Sequence, residues 1–520
     1  MQLYLFEVDA AVDDLGTVRT FRFAYGGSYK QVSAPGYYDG RISTPVNISR
    51  GIGSNLGTLD GGQVAAGIVT IDNADGACDA LLDHGYGRLA RVLMVDSDAP
   101  YSSATVLTRG IVERAVGTDK EVTFHFRDLM QELRKPVSPA KFAGTNVGAT
   151  GIEGLPGDIG GKPKPRTFGK VLNIKPVLLN AAQLIYGWNF DRSGNPLPTA
   201  TVAQVRDGGI PLTFGADRAN LAALQAASPA AGQYDTCIAL SIIKLGGLPE
   251  FDVTMDVSEH ATNNRVAGII ERMLLDAGIA SGDLLSSSFT AFDADAPYQV
   301  GIYLNEERDT FEAINDIVNS AGGFLAAGPD GKYEIGQFKE PSATADVTFR
   351  ESGITTKLAI DDADILAIQR VPPSDGGRGV PAQRVNLGYA RNFTVQNSLA
   401  NSVPAEAAVY YKAQQLQKVA EDTGVLLKYP LAPQLDFETL LTEAAEAQAE
   451  ADRRLGLYGV PRAMYTITAQ LTPAFAQTIR NGATVEIFSH RFGLSAGKRF
   501  VVTRVELNAR IGRANVTVWG

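Results

Sequence analysis

Four histidines (His84, His125, His260 and His490) and two cysteines (Cys78 and Cys237) are the side chains of this 520-residue sequence best suited to metal or nucleophilic chemistry. A zinc pair of the HExxH kind needs two histidines one helical turn apart, and no two of these four are so spaced. His125 falls on the polar face of a strand-like run and His490 in the turn-like SHRFG, so each histidine reads as solvated or hydrogen-bonded. Two cysteines supply neither a disulfide framework nor a four-thiolate cluster. They read as reduced core residues, with a single Cys78–Cys237 bridge left open.

Other possible sites fail on chemistry. GGKP at 160–163 resembles a phosphate loop only superficially. Pro156 stands five residues before Gly161 where glycine is required, and Pro163 replaces the magnesium-binding hydroxyl and removes an N–H. IDNADGACDALL at 71–82 invites a calcium-loop reading, but Gly76 at loop position six puts Ile71 and Leu82 where carboxylates belong. Glycoside hydrolysis needs two carboxylates flanking one bond. Glu306, Glu307, Asp361, Asp362 and Asp364 are the acidic clusters available, and in so acidic a chain they read as surface residues. No GxSxG elbow occurs, and neither cysteine has a nearby histidine signature. Tyr186, Trp188 and Phe190 could form a carbohydrate platform, although an aromatic core explains them better. The expectation is a non-enzyme with no catalytic, cofactor-binding or metal residues and no cofactor.

The elements around these residues are mainly β. Lys and Arg total 47 against 57 Asp and Glu, a net charge of −10, with 45% hydrophobic and 20% charged residues. That is folded protein, and the length predicts about three to five domains. The acidic balance argues against a dedicated DNA-binding surface. No run approaches the ~18 apolar residues of a membrane span. The opening MQLYLFEVDAAVDD has no basic leader and reaches Glu7 and Asp9 too early for a signal peptide. The 54 Gly and 25 Pro, spread along the chain, predict many short strands.

Strands are expected at 3–8, 21–25, 67–72, 91–96 and 121–127, the last (EVTFHFR) placing Val122, Phe124 and Phe126 on one face. A short helix is expected around Cys78–Leu82, stopped by Gly85 and Gly87. The Gly/Pro-rich 144–169, followed by VLNI at 171–174 and TFGA at 213–216, reads as irregular β. In 263–279, Val266, Ile269, Ile270, Met273, Leu274 and Ala277 make a helical stripe. A second helix covers about 308–321, with Phe311, Ile314, Val318 and Ala321 on one stripe, and GGFLAAGPDGKYEIGQF makes a hairpin. A long helix is expected at about 436–455, with Asp436 as its N-cap. Four strands close the chain: MYTITAQL, ATVEIF, RFVVTRVEL and ANVTVW. Val501, Thr503, Val505 and Leu507 should share a face in the third, and Val516 and Val518 in the fourth.

The succession ISTPVNISRGIGSN (42–55), GGQVAAGIVTIDNADGACDALLDHGYGRLARVLM (61–94), GKPKPRTFGKVLNIKPVLLN (161–180) and RRLGLYGVPRAMYTITAQL (453–471), leading into IRNGATVEIF, AGKRFVVTRVELN and VTVWG, is distinctive as an order. It resembles the tail-tip hub proteins of long-tailed, non-contractile bacteriophages, which are similar to contractile-phage baseplate hubs and gene-transfer-agent hubs. The resemblance implies a multidomain, mainly β chain with an α+β insertion. Two tube-type β-barrel domains would occupy 1–127 and 346–520, the second with one long helix. A Gly/Pro-rich irregular β domain would occupy 128–255 and an α+β module 256–345. It further implies a structural protein of the virion tail tip, assembled in the bacterial host cytoplasm as a homotrimer. Its partners would be the distal tail protein, the central fibre or tip attachment protein and the tape-measure protein, with DNA passing the lumen unbound. Two cysteines cannot supply the four ligands of the iron–sulfur cluster carried by the lambda-like tip protein, and no appended peptidase or muramidase domain is expected. A distal tail protein, or a receptor- or carbohydrate-binding tail protein, is the alternative. A channel that passes DNA should not grip it. Lumen-facing positions of the two barrels should therefore be neutral or negative, with Arg499, Arg504, Arg510 and Arg513 at subunit contacts or outside.

Overall fold

The computed structural model describes the chain except residues 12–15, 32, 53–62, 66, 85, 128, 147–149, 329, 355–361 and 372–378. Apolar alternation builds its first sheet. In Glu121–Arg127, Val122, Phe124 and Phe126 are buried and the residues between them less so. Gln2–Ala11 is instead buried on both faces, because the excursion between Tyr25 and Ile42 folds back over the sheet. Phe6 and Val8 point to one core, while Leu3 and Leu5 meet Tyr29, Tyr38 and Leu93 on the other side. The seven strands lie in the order Val18–Tyr25, Gln2–Ala11, Leu89–Asp96, Thr105–Gly117, Glu121–Arg127, Ile68–Asp72 and Ile42–Thr44, all antiparallel. Among the described residues, the segment leading into Ile42–Thr44 meets Val18–Tyr25 at one bridge, between Phe23 and Asp39. There Ala24 N donates to Asp39 O (2.7 Å) and Asp39 N to Arg22 O (3.1 Å).

The other large sheet is a closed six-stranded barrel. Around it run Val347–Arg350, Asp362–Val371, Met464–Gln470, Arg513–Trp519, Lys498–Asn508 and Thr484–Phe488, which pairs with Val347–Arg350 again. Lys498–Asn508 departs from the expected alternation. A register shift between Val502 and Arg504 inserts one extra residue. Phe500 and Val502 before it, and Val505 and Leu507 after it, therefore line the barrel core, whereas Val501 packs beside Trp519 in a different core. Val516 and Val518 share the barrel-core face. Asn47–Gly51, from the first segment, adds to the far half of Lys498–Asn508, with Leu507 opposite Ile48 and Asn508 opposite Asn47. One continuous apolar core joins Phe6, Phe124 and Phe126 to Val485, Val502 and Val516.

Two five-stranded sheets fill the next region, one containing Arg166–Ile174 and the other Thr213–Asp217. They pack face to face over Trp188, Tyr186, Tyr234 and Met255. Helices Val266–Asp276 and Thr310–Ser320 fall where their stripes predict, and Asp309 caps the second by accepting from Phe311 N at 2.9 Å. The hairpin is Gly323–Ala327 with Tyr333–Gln337. A helix at Ser286–Asp295 buries only Phe289 and Phe292, which is too weak a stripe to read from sequence.

The long helix begins later than its Ala/Glu-rich sequence suggests. Gln434–Glu438 is a strand, parallel to Arg384–Tyr389, so Asp436 caps nothing and accepts instead from Asn386 Nδ2 at 2.8 Å. Strand pairing outcompetes local helix propensity there, and the helix is Ala444–Tyr458. Its Glu450 is fully buried between Arg453 and Arg454, both at 2.7 Å.

Candidate functional site

The residues with catalytic potential are dispersed. His125 is half-buried in its strand, where desolvation and then the Arg114 charge push its pKa down. His260 Nδ1 accepts from Asn263 N (3.0 Å), organising a turn, and His490 N donates to Glu351 (3.0 Å). The side chain of His84 and residue Asp361 lie outside the described residues, as does the side chain of Asp362. Asp364 is exposed on its strand. Glu306 and Glu307 border an open cleft of about 400 Å³ that also includes Arg308, Arg391 and Phe393. Glu307 is already paired with Lys141 at 2.6 Å.

The calcium-like and phosphate-like segments are both occupied by their own protein. Arg41 forks onto both Asp75 oxygens at 2.7 Å, and Asn73 Oδ1 accepts from Cys78 N. Hydrogen bonding to Arg41 holds the Asp75 carboxyl far below the ordinary range. Around GGKP, Gly161 N is spent on Phe142 O (2.8 Å) and Lys162 N on Ile159 O (2.9 Å). Cys78 and Cys237 are free thiols in separate cores. Tyr186, Trp188 and Phe190 are buried, with Trp188 Nε1 donating to Thr199 Oγ1 at 3.0 Å, so they offer no platform to a sugar.

What the fold does build is a welded pair of β units. Besides the shared Asn47–Gly51 strand, Arg50 donates to Leu107 O and Gln477 Nε2 to Thr105 Oγ1 (2.8 Å). Arg480 also reaches Glu334 of the hairpin at 2.9 Å, and burial raises the Glu334 carboxyl pKa. On the outer walls Val18, Ile68 and Val116 of the first sheet and Leu366 of the second are exposed. They are scattered singly over four strands, as on ordinary protein surfaces. Arg499, Arg504, Arg510 and Arg513 are exposed. Arg499 lies 3.4 Å from Glu486 and Arg504 lies 2.9 Å from Glu506. Sequence reasoning missed this weld, because its partners lie hundreds of residues apart and carry no local signature. No helix among the described residues is long and apolar enough to cross a membrane.

Several solved structures align with most or all of the chain at low identity. A tail protein from Neisseria meningitidis MC58 is 12% identical at TM-score 0.39, covering 99% of this chain and 96% of its own. A 43 kDa prophage MuSo2 tail protein from Shewanella oneidensis is 10% identical at TM-score 0.39, covering 100% and 98%. A chain of the native gene transfer agent virion is 12% identical at TM-score 0.41, covering 70% and 85%. None of them transfers a residue role to this chain. No protein-family model and no curated protein matches it.

Proposed function

We propose that this chain is the tail-tip hub of a long-tailed, non-contractile bacteriophage. In this reading it is a structural virion protein, a homotrimer that joins the hexameric tail tube and distal tail ring to the central fibre and lines the DNA channel. The observation that carries the reading is the weld between the two β units. One strand of the first segment completes the sheet of the second, and a single core runs through both. Three copies of such a rigid pair place six barrels on a closed ring, which converts a sixfold tube to threefold symmetry. The segments 1–127 and 346–520 supply the tube, with 128–255 and 256–345 outside it. The tape-measure end occupies the lumen, and DNA passes without specific binding.

Copy number tests this directly. Mass measurement on isolated tail tips should give three copies per particle, and one or six would overturn the reading. The same tips should not hydrolyse host envelope. Hydrolysis lost in Glu306→Ala or Glu307→Ala would make this an enzyme instead.

A further inference from the structure

Gly301–Leu304 is the outermost strand of the five-stranded sheet that contains Arg166–Ile174. Its free edge is covered at one end only. Thr442 N donates to Gln299 O (3.1 Å), Val300 bridges Leu441, and Gly301 N donates to Leu440 O (3.3 Å). The covering segment then leaves for another sheet. Thr439 Oγ1 donates to Gly388 O (2.6 Å), and Glu438 lies opposite Gly388. Where it departs, the cleft of about 400 Å³ begins, bounded by Ile302, Tyr303 and Leu304 of the edge strand together with Leu440, Phe393 and Val395.

The backbone at this cleft is unfinished. Lys170 N donates to Val300 O (3.0 Å), and alternate residues of an antiparallel pair face the partner. Ile302 and Leu304 therefore turn towards Arg166–Ile174, whereas Gly301 and Tyr303 turn away. Gly301 N finds Leu440, but the N–H and C=O of Tyr303 have no partner among the described residues. Tyr303 is nevertheless held rigidly. It is buried, its ring meets Phe393 edge-on at 6.3 Å, and its hydroxyl donates to Lys175 O (3.0 Å). Two charged side chains of the same cleft, Arg391 and Glu306, also make no ion pair or side-chain hydrogen bond among the described residues. Glu306 is exposed to water, but Arg391 is half-buried with its guanidinium 5.8 Å from the centre of the Phe393 ring. A partly desolvated guanidinium gains more from a partner than a hydrated carboxylate does.

We propose that this cleft takes an extended, acidic peptide segment of another protein, which adds to the Gly301–Leu304 edge as a further strand. Its main chain would satisfy the Tyr303 N–H and C=O, and a carboxylate on it would pair with Arg391. The edge is recessed, since Tyr303 is buried, so it admits a single strand and not the sheet of a second copy. The proposal goes beyond the tail-tip reading and does not depend on it. Full-length protein should be titrated with a pool of labelled, end-blocked heptapeptides in which Thr and Val vary around a central aspartate. Binding by fluorescence anisotropy is expected, with rising amide protection at Tyr303. Lysine in place of the aspartate, or Arg391→Ala in the protein, should weaken it by roughly tenfold. A pool N-methylated at alternate residues cannot donate to an edge strand and should not bind. The peptide changes leave the protein intact, so they decide the matter even where Arg391→Ala alters folding. Absence of binding by the aspartate pool would overturn the proposal, as would equal binding of the lysine or N-methylated pool. Self-association of the protein that the aspartate pool disperses would also overturn it, and would assign the edge to a second copy of this chain.

Discussion

The two β units close in different ways. In the second, closure is a ladder of backbone bonds, with Thr484 to Ile487 registered against Val501 to Lys498. In the first, backbone closure shrinks to the Phe23–Asp39 bridge, and side chains complete it. Tyr38, one residue before the bridge, donates to buried Glu7, which Arg91 and Tyr101 also reach, the latter at 2.9 Å. Two residues after the bridge, Arg41 ties Asp39 and Asp75 together. A ladder of backbone bonds depends little on any one side chain, whereas a seam made of side chains can be opened by one substitution or one proton.

Glu7→Ala should therefore have the largest effect. It leaves the Tyr38 and Tyr101 hydroxyls without their charged partner and should cost about 3 kcal/mol. Denaturant unfolding should show the loss, with amide protection falling first at Ala24 and Asp39. Unchanged protection there would mean that the excursion is held by Tyr29 and its apolar contacts alone. The pH response should separate the two closures next. Asp75 is held below its ordinary value when folded, so its contribution is complete above the unfolded carboxylate range and is lost as pH falls through the folded value. Tyr38 is raised, first by burial and then by its bond to Glu7, so its contribution is complete below the ordinary tyrosine value and declines as pH rises above it. Protection factors across residues 38–44, referred to the intrinsic exchange rate at each pH, should thus fall at both extremes, while 484–487 and 498–501 keep their protection longer. Simultaneous loss in both regions would erase the distinction. The smallest effect belongs to Glu486→Ala on the second seam. Its half-exposed partner Arg499 is 3.4 Å away, and removal should shift stability by less than about 1 kcal/mol. A shift as large as that of Glu7→Ala would show that the ladder also leans on its side chains.

Sequence pattern carried the local half of this fold. Strand 121–127 and helices 266–276 and 310–320 each bury the face that their own spacing defines, so a window of ten residues holds the information. Asp436 misled because its neighbours favour a helix in isolation, while the parallel partner that claims them lies fifty residues upstream. The bulge after Val502 misled because one inserted residue reverses parity without changing composition. The mainly β character of the chain was legible from its turn residues. The Glu7 knot was not, since Tyr38, Arg91 and Tyr101 become its partners only after the excursion folds back. Nor was the weld, which depends on strands at opposite ends of the sequence.

That weld also sets an order of events during synthesis. Asn47–Gly51 leaves the ribosome early, but the strand it pairs with, Lys498–Asn508, is translated more than four hundred residues later. Until then the early strand waits with an unpaired edge, a state that invites wrong partners. A chain cut short anywhere before residue 498 can never satisfy that edge. Completion of the paired β units therefore waits on translation of the whole stretch between these two strands.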